Sequence, residues 1–392
     1  MAEQKLQPKS CNRREFIIAS GVVAAGGLVS CGKQVPAQVV NIPTPPSSIR
    51  VRIGKNVEQV TIGNNTYRAV ALGDAVKTIE IKPKTQITIS GKTKTITGTV
   101  VLHPKVGEPN NRFDVVAVVP LEQYLPGVIA GELFAHWHVG TFAAQAVAAR
   151  SYAITQHTAR ALSSHYDVTD GPSSQMFLGD VTLDVAHRAV EETKGVVLTW
   201  NNSVIPAYYS SCCGGLAATA SDAISSAREH AIPPLFGHDG KDFCTTLAVH
   251  SWTVNRHARS LRRRLNASAK SLRLPELSTV RTIKSIEPIT TNPHGRPTEL
   301  IIHGRNNDTC VLRARDFVRA ANMQVPSLPK ITAVAWSSYL AGHKVGDNFQ
   351  LEGFGMGHGV GLCQYGAQVL AGRGESWQNI LSWYYPQSLL AS

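Results

Sequence analysis

The sequence predicts an α+β fold, and three observations carry that expectation. Short alternating apolar runs separated by turn signals fill Ile49 to Val119, an alanine-rich helical pattern runs from about Thr141 to Ala161, and strands mixed with helices return beyond His250. The architecture expected is a β-rich N-terminal part (49–119), a core with a helical segment around one isolated acid and a central mixed sheet (120–245), an inserted basic subdomain (246–330) and a C-terminal glycine-rich loop and helix that complete the core (331–388). A chain of 392 residues, 43% hydrophobic and 17% charged, can bury such a core without metal or disulfide support.

Residues 1–31 read as an export segment. Asn12-Arg13-Arg14-Glu15-Phe16-Ile17 is like a twin-arginine signal, and Ile17 to Val29 is apolar but too short to span a bilayer as an ordinary helix. Leu28-Val29-Ser30-Cys31 is like a lipobox, which makes Cys31 the expected lipid-bearing residue of an exported, membrane-anchored lipoprotein. Residues 32–48 form the expected linker: Gln34 to Ser48 holds four prolines and no charge.

The strands are anchored by Ile49-Arg50-Val51-Arg52-Ile53, Thr85-Gln86-Ile87-Thr88-Ile89 and Val115-Val116-Ala117-Val118-Val119. Pro120 to Leu125 starts a short helix. In Leu125 to Trp137 a single acid, Glu132, stands among mostly apolar residues, and an acid so placed either caps a helix or has its pKa raised by desolvation. Its neighbours on the long helix are expected to include Arg150 and Tyr152. Glu132, His136 and His138 would share a face if helical, but two surface histidines flanking Trp137 is the simpler reading.

Gly195 to Trp200 and Val204 to Tyr209 read as a hairpin across Asn201-Asn202-Ser203, leading into Ser210-Ser211-Cys212-Cys213-Gly214-Gly215. Five cysteines follow the export segment, an odd number, and adjacent ones seldom bridge each other, so either Cys212 or Cys213 is free to pair with Cys244. Neither Cys-x-x-Cys nor His-Glu-x-x-His occurs.

The net charge of +12 concentrates in Ser251 to Ala320, where fourteen Lys/Arg face five Asp/Glu and Arg262-Arg263-Arg264 form a run. Such a balance suits a polyanionic partner. Nucleic acid is disfavoured, because no stacking aromatics punctuate the arginines. Here Arg259 to Leu265 and Ala314 to Ala321 read as helices, and Thr298 to Gly304 as a strand. Further on, Gly353 to Ala367 joins a glycine-rich loop to a helix but fits neither G-x-G-x-x-G nor a phosphate loop, which removes the nucleotide reading.

Three separated motifs in this order closely resemble the SpoIID/LytB family of sporulation and cell-wall proteins: Val128 to Tyr152 around Glu132, Tyr209 to Gly215, and His358-Gly359-Val360-Gly361-Leu362-Cys363-Gln364-Tyr365-Gly366-Ala367 with the tail Ile380 to Pro386. The resemblance spans about residues 49–388. It implies a peptidoglycan lytic transglycosylase with Glu132 as catalytic acid/base and no metal or organic cofactor. Substrate contacts are expected from Arg150, Tyr152, Gln175, Tyr209, Ser211, Gly214, His358, Gln364 and Tyr365. Ser210, Leu362 and Cys363 replace the family's usual His, Met and Ser. In zinc-bearing members a stretch like Ser164 to Phe177 supplies one His and two Cys; here His165 remains while Thr169 and Ser174 replace the thiols, so no zinc is expected there. Some LytB-like relatives carry a cysteine pair comparable to Cys212 or Cys213 with Cys244. The other function the resemblance allows is a non-catalytic, glycan-binding enhancer of a cell-wall amidase.

Overall fold

Phe113–Pro120, buried along nearly its whole length, is the strand on which the N-terminal part is assembled. An almost unbroken apolar run suits a strand covered on both faces. In the computed structural model, which describes residues 45–392 apart from 74, 106–111, 226 and 305–306, it pairs antiparallel with Ser48–Val57 on one side and Thr99–Pro104 on the other. Lys77–Glu80 and the short parallel Val168–Thr169 complete five strands. A second sheet of four strands, Asn65–Arg68, Gln59–Ile62, Thr85–Ile89 and Lys92–Ile96, lies in the same segment. Cys31, the export motif and most of the linker fall outside the described residues.

Two helices follow directly. Leu121–Glu132 ends at the isolated acid, and Val139–Arg160 begins after a turn whose His138 Nδ1 accepts the Gly140 amide at 3.1 Å. The second helix is buried on opposite faces. Phe142, Ala143, Ala146 and Ala149 enter the core of the N-terminal sheet, while Ala144, Val147 and Ala148 enter a second core built from Ile205, Leu362, Ile380 and Tyr384. Alanine is the residue that helix propensity and close packing from two sides both favour.

The expected hairpin is present as Val197–Trp200 and Ser203–Val204, turning on Asn201 and Asn202 at φ 46° and 60°. Its second arm stops sooner than expected: after the Ile205 amide bonds the Leu198 carbonyl at 3.0 Å, Pro206 to Tyr208 leave the pairing and Tyr209–Ser210 join Leu362–Cys363 in a separate parallel pair. That pair brings the second and third motifs side by side.

The insertion forms its own six-stranded sheet and its own core of Leu261, Leu265, Ile286, Leu300, Phe317 and Phe349. Its helix Ala258–Leu272 runs seven residues past the expected end at Leu265, and its helix Ala314–Ala321 and its strand Pro297–His303 match the sequence reading closely. Its extent does not: Ser251–His257 pairs residue by residue with Asn348–Phe354, so the sheet closes at Phe354, beyond the boundary of 330 expected from charge. Net charge marks the basic part of the sheet and misses strands such as Leu340–Val345, which carries a single lysine. The arginine run is also partly internal. Arg264 is buried and donates to the carbonyls of Met323 and Pro329, and Arg262 reaches the Arg281 carbonyl at 3.2 Å.

The chain is thus α+β. Among the described residues no helix is long and apolar enough to cross a membrane.

Candidate functional site

Glu132 sits at the C-terminal end of its helix, where no further turn covers it, and a second segment must supply its partners. That segment is Met176 to Leu178. Leu178 donates to the Gly127 carbonyl at 3.1 Å, and a Cβ on Gly127 would collide with Gly179 O and the Phe177 ring. The missing side chain lets the backbone lie directly on the helix, which aims the Met176 amide at Glu132 Oε1, 2.8 Å away.

The other oxygen, Oε2, takes a longer bond from Gln364 Nε2 at 3.3 Å. The hydroxyl of Tyr209 also lies near Glu132 and lowers its pKa. Its direction is fixed behind it: buried Gln175 accepts from Tyr124 at 3.0 Å through Oε1 and donates through Nε2 to the Tyr209 oxygen at 3.1 Å and the Ala149 carbonyl at 3.2 Å. With its oxygen so occupied, Tyr209 presents its own O–H to the carboxylate. Burial raises the Glu132 pKa above the ordinary carboxylate value, and these three donors, all neutral, offset only part of that rise.

A cleft of about 530 Å³ opens over this carboxyl. Its walls include Tyr152, Tyr208, Tyr209, Ser211, Trp336 and His358, and Glu132 is the one carboxylate among its lining residues. Aromatic faces with interspersed hydroxyls suit a carbohydrate polymer, whose rings offer apolar C–H faces and polar edges. His358 is held neutral: burial, with Arg296 adding to it, lowers its pKa to about 4, and its Nδ1 accepts the Val360 amide at 3.0 Å.

Of the residues named from sequence, Glu132, Tyr152, Tyr209, Ser211, His358 and Gln364 line the cleft. Gln175 lies behind it, fully buried, and acts on Tyr209. Tyr365 packs edge-on to Trp137 at 5.0 Å, on the loop after Glu132. Gly214 turns at φ 77° where a Cβ would strike the Phe354–Gly355 backbone, a close approach and not a surface for ligand. Arg150 is corrected most clearly. It is 1% exposed, grips Glu122 with Nε and Nη2 at 2.8 and 2.7 Å, and donates to the Val196 carbonyl, so its charge holds the two core helices together. The sequence reading missed Tyr208, Ser174 and Trp336. Tyr208 adjoins the Tyr209 motif and Ser174 stands within the Ser164 to Phe177 stretch, whereas nothing local distinguishes Trp336.

Two groups bear on metals. His165, the remaining member of the expected ligand stretch, bonds Asp114 Oδ2 at 3.1 Å and stacks on His103 at 4.4 Å, in a cluster that already contains Arg52 and Lys105. With two cations on the same carboxylate, that place repels a metal ion. A different set does converge: ligand atoms of Cys213, Asp242, Cys244 and Cys363, all buried, lie within 4.8 Å of one another. Sequence spacing concealed it, since 150 positions separate Cys213 from Cys363.

Comparison with known proteins agrees with the motifs. Residues 109–200 match the family model described as Stage II sporulation protein (SpoIID), and residues 211–361 match a Domain of unknown function (DUF8618). The chain is 28% identical over 298 residues to the amidase enhancer of Bacillus subtilis, a match covering 68% of this chain and 40% of that protein. It is 29% identical over 279 residues to an uncharacterized protein of Brachyspira hyodysenteriae, covering 70% and 68%. Stage II sporulation protein D of Bacillus subtilis is 24% identical over 283 residues, covering 68% and 73%. The chain therefore spans about two fifths of the amidase enhancer's length and larger shares of the other two. Glu132, the long helix and the first arm of the hairpin lie inside the SpoIID match, and the relatives align with about two thirds of the chain, which supports the SpoIID/LytB family that the motifs resemble.

Proposed function

We propose that this protein cleaves peptidoglycan glycan strands as a lytic transglycosylase, with Glu132 as acid and then base. One observation carries the reading: the cleft holds a single carboxyl, partly buried and hydrogen-bonded only by neutral donors. Hydrolysis of a glycoside ordinarily uses two carboxyl groups, one to protonate the leaving oxygen and one to attack or to activate water. A lytic reaction needs one, because the C6 hydroxyl of N-acetylmuramic acid is the nucleophile. Glu132, its pKa raised, would protonate the oxygen linking N-acetylmuramic acid to N-acetylglucosamine. Its carboxylate would then take the C6 hydroxyl proton as the 1,6-anhydro ring closes. The Met176 amide fixes Oε1, and the weaker Gln364 bond leaves Oε2 the freer oxygen to meet the substrate.

Tyr152, Tyr208, Tyr209 and Trp336 supply sugar-stacking faces, and Ser211 and neutral His358 supply polar contacts. The export and lipobox motifs at Arg13-Arg14 and Cys31 agree with a protein that works on the cell wall from a lipid anchor. The second reading, a glycan-binding enhancer of an amidase partner, is favoured by the name of the Bacillus subtilis relative.

Glu132→Gln separates them. Anhydro-muropeptide release from sacculi and from glycan stripped of stem peptides, read by mass spectrometry, should fall ~10²- to 10⁴-fold while glycan pull-down persists. A folded Glu132→Gln that still releases anhydro ends excludes the mechanism, and a wild type that binds glycan without releasing them supports the enhancer reading.

A further inference from the structure

We propose that Cys213, Cys244, Cys363 and Asp242 form a structural zinc site behind the wall of the cleft. Three thiols and a carboxylate oxygen within 4.8 Å of one another supply four donors, the number and chemistry that a structural zinc takes. Cys213 Sγ and Cys244 Sγ lie 3.6 Å apart, close to the ~3.8 Å that separates two sulfurs each ~2.3 Å from one tetrahedral zinc.

The surroundings suit bound thiolates. Cys363 Sγ receives two backbone N–H groups, from Cys213 at 3.3 Å and from Gly366 at 3.4 Å, the latter in the first turn of the Gln364–Gly372 helix. Such donors favour sulfur in its charged form. Asp242 is 1% exposed, and its Oδ1 accepts the Cys244 amide at 2.8 Å. His238 Nε2 approaches Oδ2 to 3.2 Å but out of hydrogen-bonding line, so among the described residues this buried oxygen lacks a donor. A carboxylate left so beside three sulfurs is costly without a cation between them. Arg296, also 1% exposed, donates to the Cys213 carbonyl while its Nε and Nη2 are unpartnered among the described residues. A zinc with three thiolates and a carboxylate carries net charge about −2, which gives this buried guanidinium a counter-charge.

The site would brace the cleft. Cys213 follows Ser211 by two residues, Cys363 precedes Gln364, and Cys244 belongs to the separate short helix Phe243–Thr246. Zinc would fasten these segments together and so hold Gln364 against Glu132. The assignment is independent of the reaction performed in the cleft.

The full chain, purified without a histidine tag and under reductant, should contain about one zinc by elemental analysis, with mostly sulfur neighbours by X-ray absorption. Cys363→Ser is the informative variant, because serine is a good N-cap and its hydroxyl can receive the same Gly366 amide; the variant should fold and lose zinc at least tenfold. Asp242→Asn should weaken zinc retention similarly. Cys310→Ser, in the insertion, should retain it. Circular dichroism and the thermal midpoint monitor folding. Reduced wild type with under a tenth of a zinc per chain, or alkylation mapping that finds Cys213 or Cys212 bridged to Cys244 in the isolated protein, would overturn the site. Loss of zinc in Cys212→Ser with retention in Asp242→Asn would overturn the ligand assignment.

Discussion

Two regions of this molecule withdraw carboxyl groups from water and treat them in opposite ways. On the N-terminal sheet, Asp167 is fully buried and meets Arg50 through Nε at 3.0 Å and Nη2 at 2.5 Å, the Arg50 amide at 2.8 Å and His157 at 3.0 Å. Burial alone would raise its pKa, but these donors outweigh it and hold the carboxyl below its ordinary value. Asp114 behaves in the same way among Asn56, Lys105 and His165. Glu132 has fewer hydrogen bonds, from the Met176 amide and the Gln364 side chain, and no cation among its partners, and its pKa rises. The lesson is that burial does not by itself decide whether an acid keeps its proton; the charge and number of the donors around it do. One region is fixed as an ion pair for stability, the other is left able to titrate.

The largest way to break the contrast is to remove the cation from the sheet. Arg50→Ala leaves Asp167 buried with His157 as its remaining side-chain partner, and breaking a buried pair costs about 3–5 kcal/mol, nearer 2–3 here because Arg50 is 26% exposed. Thermal unfolding should show that loss. The pH dependence gives the sign. A depressed carboxyl pKa adds stability above the unfolded value near 4, lost as pH falls through the folded value. Arg50→Ala should therefore flatten the acid limb of stability against pH. An unchanged midpoint at neutral pH and at pH 3 would show that the pair is energetically idle.

The next effect runs the other way and rests on the proposed chemistry. Gln364→Lys would place a cation 3–4 Å from Glu132 and convert its surroundings toward those of Asp167. The carboxyl pKa should fall by about one unit or more, so the protonated fraction at pH 7 drops about tenfold and anhydro-end release with it. The alkaline limb of the rate profile should move to lower pH, with the thermal midpoint checked for folding. A profile that does not move would show that Glu132 is not the acid the rate reports.

Much of this contrast was legible in the sequence, and what was not has a physical reason. An acid alone in an apolar run announces desolvation, so Glu132 could be picked from Leu125 to Trp137; the alternation of the strands and the alanine pattern gave the elements on either side of it. What cannot be read locally is which partner a buried charge finds. Arg150 lies on the long helix 18 positions from Glu132, yet it turns to Glu122, which it grips with two donors in the bidentate geometry that makes such pairs strong. The thiol cluster escaped for the same reason. It is assembled by a parallel pairing of Tyr209–Ser210 with Leu362–Cys363, and no spacing within one segment records that register. The pairing of Ser251–His257 with Asn348–Phe354 is likewise long-range.

The smallest effect sharpens the comparison by changing donor number without changing charge. Gln364→Met keeps most of the side-chain volume and deletes the 3.3 Å bond to Oε2, leaving the Met176 amide and the Tyr209 hydroxyl. Since the Gln364 bond lowers the Glu132 pKa, its loss should raise that pKa further and carry the alkaline limb of the rate profile to higher pH, opposite to Gln364→Lys. The shift should be a fraction of a unit, because a long neutral bond contributes about 1 kcal/mol or less. Stability follows the sign of a raised carboxyl pKa: it is greatest at low pH and declines as pH rises from the unfolded value through the folded one, so Gln364→Met should lose slightly more midpoint than wild type between pH 5 and 8. If the two substitutions at position 364 moved the limb in the same direction, geometry and not charge would govern Glu132, and the distinction drawn between the cleft and the sheet would fail at the place where it matters for catalysis.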